Sequence, residues 1–121
     1  MIHTENIDTF SSSKVLSLEA VQEIIRDAQL VGKTVGLCHG GFDLLHPGHL
    51  KHFESAKEKC DVLVVSVTSD RFVGSRKGSG RPIFTEQLRA YSIACLAFVD
   101  YVVVTDFARA VEVIAVLKPS F

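Results

Sequence analysis

The chain has 121 residues, 47% of them hydrophobic, and a formal charge of −1, enough apolar material for one packed domain. It has no basic excess to release counterions from a nucleic acid and no apolar run of the roughly 20 residues a membrane span needs. The first thirty residues lack the basic start and apolar core of a signal peptide, so a cytoplasmic location is expected.

Residues 1–15 are polar, with Ser11, Ser12 and Ser13 in a row, and read as a flexible or loosely docked arm ahead of a domain over 16–121. Ser17 suits an N-cap with Leu16 and Val21 as its hydrophobic staple, and Leu18, Val21, Ile25 and Ala28 keep helical spacing up to Gly32. The apolar run 34–38 fits a parallel strand covered on both faces. A helix then runs from near His46 to about Lys59, with Leu50, Phe53 and Ala56 toward the core and Lys51, Glu54, Lys57 and Glu58 toward water. Residues 62–67 are the clearest strand, ending in Thr68-Ser69-Asp70, and a loop over 74–84 carries Arg76, Lys77, Gly78, Gly80 and Arg81. Thr85 caps a helix over 86–97, a third strand covers 100–104, and a last helix covers 107–117. This alternation predicts a doubly wound α/β fold, a parallel sheet in an α/β/α sandwich. Cys38, Cys60 and Cys95 are odd in number, widely spaced and at apolar positions, and read as buried free thiols.

The segment Gly40-Gly41-Phe42-Asp43-Leu44-Leu45-His46-Pro47-Gly48-His49 joins the first strand to its helix. Gly40 and Gly41 free the backbone of Cβ atoms, so main-chain donors could hold a phosphate chain closely. Pro47 suits a first helical turn, which would set His46 and His49 on one face where orphan N–H groups and the dipole favour an anion. A zinc reading of His46, His49 and His52 is weaker, because His52 is rotated off the shared face and neither a Cys nor a carboxylate stands at the usual spacing. No protein metal site is expected.

Taken whole, the string resembles the HxGH signature of the cytidylyltransferase-like nucleotidyltransferases, as His46-Pro47-Gly48-His49 after Gly41-Phe42-Asp43. The resemblance runs from about residue 33 to 121. Lys77-Gly78-Ser79-Gly80-Arg81-Pro82 followed by Glu86-Gln87-Leu88-Arg89 looks most like the nucleotidyltransferase half of bifunctional heptose-phosphate enzymes, and glycerol-3-phosphate cytidylyltransferase is similar around the HxGH. It implies a Rossmann-like enzyme, homodimeric, in which the histidines stabilise charge on the α-phosphate of ATP or CTP while a phosphorylated sugar or polyol displaces pyrophosphate.

Lys77 joins His46 and His49 as a catalytic candidate on that resemblance, and Gly40, Gly41, Phe42, Asp43, Asp70, Arg81 and Arg89 are candidates for nucleotide or phosphate contact. Asp43 lies beside the nucleotide or orients its loop through backbone N–H groups. Asp70 holds a ribose hydroxyl, phosphate-bound Mg²⁺ or Arg71, and Arg89 alternatively pairs with Glu86. Mg²⁺ is expected to arrive with the triphosphate, keeping its waters. The resemblance further implies a strand and a Ser/Thr-rich motif after Lys118-Pro119-Ser120-Phe121, so the C-terminal strand is expected to be missing, with the edge of the first strand bare until other polypeptide pairs there. A nucleotide-binding or regulatory module that keeps the cradle without turnover is the alternative function.

Overall fold

A computed structural model describes residues 9–72, 83–107 and 109–121. Strands β1 (Val35–Gly40), β2 (Val62–Thr68) and β3 (Tyr101–Thr105) pair in parallel in the order β1-β2-β3. Helices α2 (Pro47–Glu58) and α3 (Glu86–Ala94) connect them across one face, while α1 (Leu18–Leu30) and α4 (Ala110–Leu117) cover the other. This is the expected Rossmann-like three-layer arrangement.

The strands are near-continuous in apolar residues because both faces are buried. On the α2–α3 side Phe53, Ala90 and Ile93 pack against Leu63, Val65, Val67 and Val102. On the other side Val21, Ile25, Val113 and Leu117 pack against Val35, Val64 and Val103. Phe53 and Leu63 are fully enclosed, each contributing about 1.5–3 kcal/mol. The Ser17 hydroxyl accepts from Ala20 N at 3.2 Å and caps α1, as its sequence position requires.

The boundaries differ from expectation where polar residues find partners. β1 continues through His39 and Gly40 rather than stopping at Cys38, and inside the sheet the His39 Nδ1 is engaged by the Ser66 hydroxyl, Nδ1 to Oγ 2.6 Å. α3 stops at Ala94, three residues early, where Lys14 Nζ reaches the carbonyls of Leu96 and Val99 at 3.1 and 2.8 Å. α4 begins at Ala110 rather than at Phe107, whose ring packs against the core instead. Lys57 does not simply face water: its ammonium donates to Asp100 Oδ2 at 2.8 Å, the carboxylate oxygen that also accepts from Leu63 N.

Both sheet edges are partly covered. The expected arm is docked over 10–16: Val102 N donates to Lys14 O and Leu16 N to Val102 O, both at 2.9 Å, and Phe10 meets Tyr91 edge-on. Backbone pairing on the free side of β3 holds this polar segment in place. The expected bare edge of β1 is likewise engaged, since Ser120 N and Phe121 N donate to Val35 O and Leu37 N donates to Phe121 O.

The cysteines divide, contrary to the expectation that all are buried: Cys38 is buried, Cys60 half-buried and Cys95 exposed at the end of α3. Burial pushes the Cys38 thiol from its ordinary 9.0 up to about 11, with nearby Cys60 adding to the rise. A thiol reagent at pH 8 is expected to modify Cys95 first and Cys38 only on unfolding. Because the folded form holds its proton longer than the unfolded chain, this group's stabilisation is intact below pH 9.0 and drains away as pH climbs toward about 11. Equal labelling rates for Cys38 and Cys95 in the native protein would contradict this.

Candidate active site

The carboxyl end of β1 turns at Gly40-Gly41 into Phe42, whose φ of +49° is left-handed. Such a conformation costs a non-glycine residue about 1–3 kcal/mol and persists only where packing over-determines it. Here the ring lies edge-on to Phe53 and His49, with centroids 5.2 and 5.5 Å away. Gly40 matters for the same reason, since a Cβ there would stand 2.9 Å from Phe42 Cζ. The space expected to admit a phosphate is, on that side of Gly40, filled by the Phe42 ring. Phe42 thus buttresses a catalytic candidate.

His46 is the N-cap of α2, and its Nδ1 accepts from Gly48 N at 3.0 Å. His46 N in turn donates to His49 Nδ1 at 3.3 Å, and the two rings lie 3.9 Å apart at 31°. A Cβ on Gly48 would stand 2.7 Å from His46 Cε1, so only glycine fits between the histidines. An Nδ1 that accepts from an N–H bears no proton, which leaves the proton of each neutral ring on Nε2. An imidazolium would forfeit its cap bond. The reciprocal capping therefore orients two Nε2–H donors at the helix N-terminus, where orphan N–H groups and the dipole favour an anion.

Asp43 is 4% exposed, and its Oδ1 accepts from Ile83 N at 2.7 Å and Phe84 N at 3.2 Å. These bonds tie Asp43 to the segment leading into α3. Arg89 departs from expectation. Its side chain is wholly buried, and Nη1 donates to Gly41 O at 2.6 Å and Thr68 O at 2.7 Å, Nε to Phe84 O at 3.0 Å, and Nη2 to Asp70 Oδ1 at 2.7 Å. This guanidinium fastens the glycine turn, the end of β2 and the entry to α3 together, and is largely spent on protein acceptors instead of phosphate. Glu86 does not pair with it; Glu86 Oε1 accepts from Asp70 N at 3.0 Å. Arg71 is exposed, with its guanidinium carbon 5.6 Å from the Phe72 ring centroid, and Asp70 takes Arg89 as its partner instead.

Lys77, Arg81 and the rest of the basic loop over 74–82 lie outside the described residues. Among the described residues no three His, Cys, Asp or Glu side chains converge on a point that could hold a metal ion. No described helix is long and apolar enough to cross a membrane. A groove of about 470 Å³ between α1 and α4 is lined by Glu19, Glu23, Arg26 and Lys118 and contains neither histidine. His39 and Ser66 are two further polar side chains at the site end of the sheet, and Ser66 inside the apolar run 62–67 is the sequence signal for them.

The cytidylyltransferase-like family model matches residues 37–121. The bifunctional protein HldE of Paramagnetospirillum magneticum is 40% identical over 119 residues, 98% of this chain and 24% of that protein. The HldE of Syntrophotalea carbinolica is 39% identical over 108 residues, 89% of this chain and 22% of that protein. The chain thus spans about a quarter of these relatives' length. The crystal structure of a lipopolysaccharide core biosynthesis protein from Thermoplasma volcanium superposes with a TM-score of 0.62 at 31% identity, covering 73% of this chain and 70% of that one.

Proposed function

Since the chain belongs to the cytidylyltransferase-like family of nucleotidyltransferases, we propose that it transfers AMP or CMP from ATP or CTP to a phosphorylated sugar or polyol, releasing pyrophosphate. The observation that carries this reading is the histidine pair, locked through Nδ1 and bearing its Nε2 protons at the start of α2. Nucleotidyl transfer asks for in-line positioning and for donors aimed where charge develops. His46 and His49 supply two such donors without a proton-transfer step, and Phe42 and Gly48 hold their rings in register. The backbone of Gly41 stays fixed because Arg89 holds its carbonyl.

Mg²⁺ suits this reading as a companion of the triphosphate, because Asp43 and Asp70 are engaged by backbone N–H groups and Arg89. Its contribution is to neutralise phosphate charge. The same reading places the protein in the cytoplasm as a homodimer, with neither nucleic acid nor membrane as a partner.

Pyrophosphate release from ATP, CTP, GTP and UTP against several sugar and polyol phosphates tests the proposal. Nucleotide binding without pyrophosphate from any pair would instead select the non-catalytic module. Lys77 and Arg81 are proposed to meet phosphates already charged in the ground state, so Lys77→Ala and Arg81→Ala should weaken ligand binding by about tenfold or more. Calorimetric titration showing parental affinity for both nucleotide and acceptor would return them to a solvated loop.

A further inference from the structure

The face of the sheet under α1 and α4 is aliphatic at its amino end and changes character at its carboxyl end. There the register brings His39 opposite Ser66 and Thr68 opposite Thr105, all on the face that carries Val35, Val64 and Val103 lower down. Ser66, Thr68 and Thr105 are 0%, 2% and 4% exposed, and Thr105 Oγ1 is a fully buried oxygen with no hydrogen-bond partner among the described residues. A buried hydroxyl left unmade costs about 1–3 kcal/mol. Valine would fill the same volume without that cost, so stability does not explain Thr105.

The band also lies next to the reaction centre. A single nitrogen, Arg89 Nη1, bonds the carbonyls of both Thr68 and Gly41, so the end of β2 abuts the glycine turn. Carboxyl ends of parallel strands are where open α/β sheets receive ligands. An in-line displacement sets the attacking oxygen opposite the leaving pyrophosphate. An acceptor seated on the face opposite α2 would lie across the glycine turn from pyrophosphate held at the N-terminus of α2.

Resting on the transferase reading above, we propose that His39, Ser66, Thr68 and Thr105 form the subsite for the uncharged, hydroxyl-bearing body of the acceptor, and that Thr105 and Ser66 set its specificity. The hydroxyls of Ser66, Thr68 and Thr105 are uncharged, short and able both to donate and to accept, which matches sugar or polyol hydroxyls and not a phosphate. The nucleotide's ribose offers the same hydroxyl chemistry, and separate nucleotide titrations distinguish that source.

Thermal shift with glycerol 3-phosphate, ribitol 5-phosphate and mannose 1-phosphate, each compared with inorganic phosphate, tests the subsite without requiring turnover. The parent should gain more from at least one polyol or sugar phosphate than from inorganic phosphate. Thr105→Val should melt about 2–5 °C higher when free, because the unpartnered hydroxyl is gone, yet lose that extra gain, as should Ser66→Ala. Calorimetric affinity for ATP or CTP should stay within twofold. An extra gain retained by both variants, no extra gain in the parent, or a parallel loss of nucleotide affinity would each overturn the assignment. Pyrophosphate release by the parent is scored separately, so failure of the transferase reading and failure of this subsite are distinguishable.

Discussion

His46→Ala and His49→Ala are each expected to lower kcat by about 10²–10³-fold, the range for deleting one donor aimed at transition-state charge. The two substitutions should differ in stability. His46 is also the N-cap of α2, and its loss strands Gly48 N, which costs about 1 kcal/mol. His46→Asn separates the roles, since asparagine caps helices well but places no N–H where imidazole Nε2 stands. It should recover most of the lost melting temperature and almost none of the lost rate. If His46→Asn restored both, capping alone would explain the residue; turnover within threefold of the parent in both alanine variants would remove the histidines from the chemistry.

The histidine arrangement was legible in the sequence because it depends on local geometry. Spacing and Pro47 place both rings on one helical turn whatever surrounds them, and the structure sets them 3.9 Å apart. Their protonation was not legible, since it follows from which N–H each Nδ1 accepts, a matter of ångströms. Arg89 shows the opposite limit. A basic residue near a glycine turn suggests phosphate, and nothing along the chain reveals that Gly41, Thr68, Phe84 and Asp70 converge on one guanidinium. Such convergence is a property of topology. How residues 10–16 dock is hidden for a related reason, because their polar composition does not display the backbone groups that pair with the open edge of β3. Segment boundaries moved by two or three residues wherever a remote side chain capped or extended an element, as Lys14 does at the end of α3.

Arg89→Met should be the most damaging single substitution outside the histidine pair. Methionine fills much of the volume yet leaves the carbonyls of Gly41, Thr68 and Phe84 and one oxygen of Asp70 without their donor. Removing one partner of a buried charged network costs about 3–5 kcal/mol, a large share of the 5–15 kcal/mol that a domain typically has. A fall in melting temperature of roughly 15 °C or more follows for a chain of this size. Arg89→Lys refines the point, because an ammonium cannot span acceptors that the fork reaches with Nε, Nη1 and Nη2 at once. That variant should stay folded at 20 °C yet turn over about tenfold or more slowly, since the glycine turn and the end of β2 would no longer be held at a common distance. Asp70→Asn removes only the partly exposed partner and should cost far less than either. An Arg89→Met protein that melts within 3 °C of the parent and releases pyrophosphate at the parental rate would show that the turn holds its shape unaided.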